Sequence, residues 1–389
     1  MKIEQDWLKD ARLRRLFSTV EAAGGEARVV GGAVRDALLG RPVGDIDLAC
    51  NLTPEQITKA CEAEGLKVVP TGIKHGTVTV VIDHTPFEVT TLRRDEKTDG
   101  RHAEVAFTDS WQEDAARRDF TMNALYCNAQ GDVTDFFTGL EDIKAGRVRF
   151  VGNPLQRIRE DVLRILRFFR FHAHYGQSEP DAPGYTACGM LAPTLHTLSR
   201  ERVRAELLKL LKAPNPVPVV KLMIECGAVH SLKLPLRNHQ ALAALVDYET
   251  SLKSPDALRR LFALMDDGAN LARFASELRL SNSEADRLRD MAQPLLLSTD
   301  EIALRRHAYW HGPQMVADHL VLHGKASAEL LMLLRAYKRP EFPLRGEDLM
   351  ALGVPAGPRL GEQLKRIESW WAEQNFTPDK AACLAQAHV

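Results

Sequence analysis

No stretch of this 389-residue chain comes near the roughly 20 uninterrupted apolar residues that a membrane-spanning helix needs. Its first residues, Met1-Lys2-Ile3-Glu4-Gln5-Asp6-Trp7, are polar and acidic and lack an apolar secretory segment. Cysteine is sparse and scattered: Cys50, Cys61, Cys127, Cys188, Cys226 and Cys383 form no CxxC and no clustered His/Cys spacing. That pattern argues against a disulfide framework or a zinc site and sets the expectation of reduced thiols in a cytoplasmic protein with no membrane partner. Surplus charge is missing too. At a formal −1, the chain as a whole does not advertise a nucleic-acid partner, so any RNA would have to meet positive charge concentrated locally. Internal repeats and low-complexity tracts are absent, and the length predicts two to four domains.

Punctuation and periodicity divide what remains. Residues 7 to 24 read as an amphipathic helix, Arg28 to Val30 as a short strand entering Gly31-Gly32, and Val34 to Leu39 as a helix stopped by Gly40 and Pro42. Thr53-Pro54-Glu55-Gln56 opens another helix, with Thr53 as N-cap and Pro54 in its first turn. Thr77 to Asp83 and Phe87 to Leu92 are β-branched runs around a turn. Up to about residue 145 the chain is mixed α and β. From Asn153 onward no strand pattern is found, and apolar residues recur at helical spacing as far as Trp371.

Three runs carry chemistry. In Gly31-Gly32-Ala33-Val34-Arg35-Asp36 the glycine pair permits close backbone approach to phosphates, and Arg35 offers a forked donor set. Asp45 and Asp47, one residue apart, share a face if extended and would hold one cation; a solvated strand is the plain alternative. Glu88, an acid in a β-forming run, is the candidate third carboxylate or an outward-facing strand residue. Arg117-Arg118-Asp119-Phe120-Thr121-Met122-Asn123 reads either as a helix start capped by Asp119 or Thr121, or as an arginine for a triphosphate braced by Asp119 and Asn123. Asp161, Arg164, Arg167 and Arg170 recur every third residue, which on a helix makes neighbours adjacent. They form either an exposed ion-paired stripe or a base-reading surface. Cytosine and adenine both present an amino donor beside a ring-nitrogen acceptor, which an aspartate and an arginine match. Guanine and uracil present the reverse order, and each unpaired group costs about 1–3 kcal/mol.

Gly31 to Asp47, Arg117 to Leu125 and Glu160-Asp161-Val162-Leu163-Arg164 resemble, in order and spacing, the motifs of the class II tRNA nucleotidyltransferase/poly(A) polymerase family. The resemblance spans residues 29 to 171. It implies an α+β fold: a polymerase-β-like nucleotidyltransferase head with a small mixed or antiparallel sheet and helices over 1–145, then an all-helical neck (146–215), body (216–305) and tail (306–389). It further implies that Asp45 and Asp47 bind catalytic Mg²⁺, with Glu88 as third carboxylate. Gly31, Gly32, Arg35 and Arg118 would contact the nucleotide, with Asp119 and Asn123 bracing the site. Asp161 and Arg164 would act as a protein template for the base, with Arg167 and Arg170 near phosphate.

The activity so implied is template-independent addition of CCA to the 3′ end of tRNA from CTP and ATP, with release of pyrophosphate. Arg94 to His102 resembles the family's flexible loop, and Gly353 to Gly361 a Gly/Pro turn that meets the tRNA elbow. Arg200, Arg202, Arg204 and Lys209 would line the neck for RNA, and Arg305, Arg306, Arg335 and Lys338 the distal part. No His-Asp dipeptide occurs, so an added phosphohydrolase domain is not expected. A poly(A) polymerase is the nearest alternative, but Leu48 to Glu55 runs into a helix without a basic insert. An A-only enzyme would keep the Glu160-to-Arg164 element; a non-catalytic RNA-binding relative would have lost a metal-ligating aspartate.

Overall fold

The structure, a computed structural model, describes residues 1–73, 76–99, 102–295 and 298–387. Asp10 accepts from the Arg12 amide and starts helix α1 (Ala11–Ala22); a separate 3₁₀ turn, Asp6–Lys9, precedes it. The single helix expected over 7 to 24 is therefore split, because the Asp10 side chain satisfies free amides where a continuous helix would have none. Strand β1 (Ala27–Val30) runs into Gly31, whose φ of +70° is a left-handed conformation that only glycine adopts without strain. Helix α2 (Gly32–Leu38) follows, then β2 (Asp47–Cys50). Helix α3 (Pro54–Ala63) begins with the expected cap: Thr53 accepts from the Gln56 amide, and Gln56 accepts from the Thr53 amide at 2.9 Å.

Strands β3 (Lys67–Gly72), β4 (Thr77–Ile82) and β5 (Thr85–Thr91) extend the sheet. β6 (Arg93–Asp99) and β7 (His102–Phe107) pair only with each other, in antiparallel register. They occupy the segment expected to be the flexible loop, of which Gly100 and Arg101 lie outside the described residues. After helix α4 (Trp111–Ala116) come β8 (Leu125–Cys127) and β9 (Val133–Asp135). The sheet is mixed, in the order β3-β4-β5-β2-β1-β8-β9. β1 is antiparallel to β2, whereas β2 and β5 are parallel and place Asp47 beside Glu88.

Helices α5 (Gly139–Lys144), α6 (Pro154–Glu160), α7 (Arg164–Tyr175), α8 (Ala182–Leu191) and α9 (Arg200–Leu211) complete the part of the chain that matters for the site. A seam of phenylalanines ties the sheet side to α7. Phe120 lies 4.9 Å from Phe150, and Phe150 stacks on Phe168 at 5.5 Å, all three fully buried. Burying one such ring stabilises by roughly 1.5–3 kcal/mol. The helical run expected through Asp161 is broken: α6 ends at Glu160 and Asp161 is extended (φ −149°, ψ 106°). Its carboxylate takes the Leu163 amide at 3.1 Å, the local bond by which aspartate interrupts helices. Asp161 is thus not on the helix that carries Arg164, Arg167 and Arg170. The Arg117-Arg118-Asp119 run likewise follows the end of α4, with a 3₁₀ turn at Thr121–Asn123, and does not start a helix.

Contacts divide the chain into two compact units, Met1–Leu234 and Pro235–Val389. Among the described residues no strand occurs beyond β9, no helix is long and apolar enough to cross a membrane, and all six cysteines are free. The second unit is helical throughout and has charge at its centre. Glu249 and Asp318, both fully buried, share Arg259, at 2.9 and 3.0 Å; Glu249 also accepts from Arg260 and Asp318 from Arg287. Such a network gains little over an apolar core but is costly to break singly. Asp318→Ala is expected to destabilise this unit by about 3–5 kcal/mol, read as a lowered denaturation midpoint by circular dichroism.

Candidate active site

The Gly31 turn, the β2–β5 pair, the end of α4 and the face of α7 enclose a cavity of about 350 Å³. Gly31 and Gly32 form one wall, Asp47 and Glu88 another. Arg35, Arg117, Arg118, Asp119, Asn123 and Arg167 line the rest, joined by Arg93 and Phe171, which were not expected. A larger cavity of about 750 Å³ lies in the second unit. Its lining is mostly apolar and has no arginine or lysine, so the chemistry belongs to the smaller one.

Asp47 is at the exposed start of β2, directly across from Glu88. Its carboxyl is pushed above the usual range, first by burial, then by the negative charge of Glu88 and of Asp45, with Arg118 opposing. Asp45 precedes the strand and does not line the cavity, so the two aspartates are not strand neighbours on one face as the spacing predicted; Asp45 still lies close enough for its charge to act on Asp47. A carboxylate crowded by other acids, as Asp47 is, is stabilised by a cation between them. Among the described residues no group of three His, Cys, Asp or Glu gathers tightly enough to hold a metal alone. An ion here would therefore be shared with ligand oxygens.

The arginines are held by buried acids. Asp114, 1% exposed, accepts from Arg117 Nη2 at 2.6 Å, Arg118 Nη2 at 3.0 Å and the Tyr126 hydroxyl at 2.7 Å. Burial alone would raise its pKa, but the Arg118 and Arg117 guanidiniums outweigh that and hold the carboxyl at about 2. This hub went unnoticed in the sequence. The available signal was an aspartate three and four residues before two arginines, a spacing that a helix turns into contact. Asp119 pairs with Arg167 and accepts from Asn123 Nδ2 at 3.0 Å; Asn123 Oδ1 in turn accepts from Arg35 Nη1 at 2.7 Å. Asp119 and Asn123 thus link Arg167 to Arg35 along the cavity wall.

Several arginines are engaged by protein groups where a ligand was expected. Arg35 lines the cavity, yet its fork closes on its own neighbour, with Nε and Nη2 on the two Asp36 oxygens at 3.0 and 2.9 Å. Its guanidinium also stacks 4.2 Å above the Tyr175 ring, so in this state it braces the turn and presents no open fork. Arg170 does not reach the cavity: buried Glu206 captures its Nε at 2.5 Å. Arg164 donates to Glu160 and to the carbonyls of Arg157 and Arg117, and Arg202, expected to face RNA, pairs with Asp161. Neither Asp161 nor Arg164 is in the cavity wall, although Asp161 is near enough to act electrostatically on Arg167. In the second unit Arg305 pairs with Glu301, Arg306 donates to the Glu373 carbonyl and Arg335 to Ser254.

Residues 27–149 match the family described as Poly A polymerase head domain, and residues 185–236 the one described as Probable RNA and SrmB- binding site of polymerase A. The mitochondrial CCA tRNA nucleotidyltransferase 1 of Danio rerio is 34% identical over 379 residues, covering 92% of this chain and 86% of the relative. The chain belongs to the tRNA nucleotidyltransferase/poly(A) polymerase family. Within that family, the CCA-adding enzyme of Streptococcus sanguinis is 32% identical, with 91% of this chain and 90% of that enzyme covered. The crystal structure of the Bacillus stearothermophilus CCA-adding enzyme in complex with CTP superposes with a TM-score of 0.76 at 28% identity, covering 93% of this chain and 92% of that one. The α+β head with a mixed sheet followed by helices is the fold of these nucleotidyltransferases, which generally work with a divalent metal.

Because the Asp114 pKa is lowered in the fold, its contribution to stability is complete above about pH 4 and is lost as pH falls through about 2. Asp114→Ala, which leaves two arginines and a phenol without their acceptor, is expected to cost about 3–5 kcal/mol in thermal or urea unfolding. Tyr126→Phe, which leaves the ion pairs in place, is expected to cost about 1 kcal/mol.

Proposed function

We propose that this protein adds CCA to the 3′ end of tRNA, using CTP and ATP and releasing pyrophosphate. The observation that carries the reading is the register that sets Asp47 beside Glu88, across a cavity whose other walls are a glycine turn and arginines. Acid on one side and phosphate donors on the other are what nucleotidyl transfer requires. The 3′-hydroxyl of the tRNA attacks the α-phosphate, and the bond to the β-phosphate breaks. Arg118 and the backbone at Gly31 and Gly32 hold the triphosphate, while Arg167, oriented by Asp119, faces the same space. Asp45 and Asp47, with Glu88 beside them, would hold Mg²⁺, which when bound offsets charge on the attacking and leaving oxygens. Asp161 and Arg164 select cytosine and adenine by the amino-plus-ring-nitrogen edge.

The four-part organisation accompanies this reading: a head over 1–145, a neck over 146–215, a body over 216–305 and a tail over 306–389 that binds tRNA. We place the enzyme in the cytoplasm. The six free cysteines, five of them buried, fit a reducing compartment.

The test is incubation of purified protein and Mg²⁺ with tRNA transcripts ending at the discriminator base, at C and at CC, with CTP and ATP supplied singly and together. Stepwise C, C and A addition on gels is expected; long A tails, or addition of A to CC ends with no C addition to the shorter transcripts, would sink the reading. Asp47→Ala is expected to lower the rate on the order of 10³-fold, about 4 kcal/mol of lost transition-state stabilisation, with the fold unchanged by circular dichroism. Asp161→Ala is expected to weaken rejection of UTP and GTP by about 10-fold or more.

A further inference from the structure

Asp161 stands between two helices and belongs to neither, so side-chain bonds decide where its carboxylate faces. One bond is local: Oδ1 accepts from the Leu163 amide at 3.1 Å. The other comes from 41 residues away, where Arg202 Nη2 donates to Oδ2 at 2.7 Å. Arg202 lies in the first turn of α9, within the stretch that matches the RNA-binding-site family. A carboxylate accepts at about four lone-pair positions, so these two bonds leave acceptor capacity on Asp161. Arg164 is restrained in the same way. Three of the roughly five N–H donors of its guanidinium are engaged, by Arg157, Glu160 and Arg117, which leaves two among the described residues. Both side chains are therefore fixed, and both retain the capacity that a cytosine or adenine edge would use.

We propose that Arg202 is a positioning residue for base selection, holding the Asp161 carboxylate from α9 so that its remaining acceptor faces the pairing edge of the incoming nucleotide. The inference rests on the reading of Asp161 as the base selector. Its physical basis is that rejection needs rigidity. A carboxylate held in place is forced against the carbonyl oxygen of uracil or guanine, and that repulsion is what excludes them. A carboxylate tethered only at Leu163 can rotate away and relieve the clash, so discrimination falls while the correct base still binds.

Arg202 is not needed to hold α9 in place. The pair is 31% and 29% exposed on its two sides, where an ion pair contributes little to stability. The helix is anchored instead by buried Val203, Leu207 and Leu210 and by the Glu206–Arg170 bond.

The experiment compares Arg202→Met, Arg202→Lys, Asp161→Ala and the Asp161→Ala/Arg202→Met double variant with the parent enzyme. Single incorporation of CTP and of UTP is followed on tRNA transcripts lacking CCA, with the melting temperature recorded for each protein. Arg202→Met is expected to lower the CTP-over-UTP ratio of kcat/KM about 10-fold, with kcat for CTP changed less than about threefold and little change in Tm. Arg202→Lys is expected to recover part of the ratio, and the double variant to discriminate no worse than Asp161→Ala. Full discrimination by Arg202→Met, while Asp161→Ala loses it, overturns the role of Arg202 and leaves that of Asp161 standing. Full discrimination by Asp161→Ala overturns base selection by Asp161, and the proposal with it. Equal slowing of CTP and UTP by Arg202→Met marks a structural role only and also overturns the proposal.

Discussion

The site depends on one register. β2 and β5 run parallel with Asp47 opposite Glu88, while β2 is simultaneously antiparallel to β1. Because strand side chains alternate between faces, a slip of one residue would send Asp47 to the opposite side of the sheet from Glu88. The pairing that sets buried Leu48 between buried Val29 and Val89 therefore also fixes where the acids stand. Core packing and chemistry are set by the same pairing.

Everything opposite those acids arrives by a longer route. Phe120, Phe150 and Phe168 press α7 toward the sheet, which brings Arg167 to Asp119 and Phe171 to the cavity wall. The guanidiniums there are not free charges waiting for phosphate. Each one described in detail is already oriented by an acid, Arg118 by Asp114, Arg167 by Asp119 and Arg35 by Asp36. Such pairs lower the cost of keeping cations in a partly desolvated cavity and fix their geometry before ligand arrives. The second unit uses the same device for a different end, with arginines neutralised at the centre of a helical core.

Much of the local structure was legible because it is encoded within a few residues. Gly31 signals its left-handed turn, Thr53-Pro54-Gln56 its capping box, and the runs before and after His84 their strands. The helix readings that failed were those that extended a periodicity through a residue with its own hydrogen-bonding agenda. Asp10 restarts a helix and Asp161 breaks one, each because a short carboxylate binds a backbone amide two residues on. Spacing alone placed Asp161 on the same face as Arg164, and that one bond removes it.

The sequence by itself determined the parts: the glycine turn, the acids Asp45, Asp47 and Glu88, the arginines, and the change from mixed to helical structure near residue 145. Those are local, since composition and spacing over ten or twenty residues carry them. Only the tertiary structure decided which parts meet. It put Glu88 beside Asp47 across a parallel pairing, made Asp114 the hub of two arginines, turned Arg170 to Glu206 and gave Arg202 to Asp161. The first of those choices sets two acids side by side, and the others join a charge to an opposite one that packing brings near. Distance in space, which packing sets and spacing along the chain does not, is what electrostatics obeys.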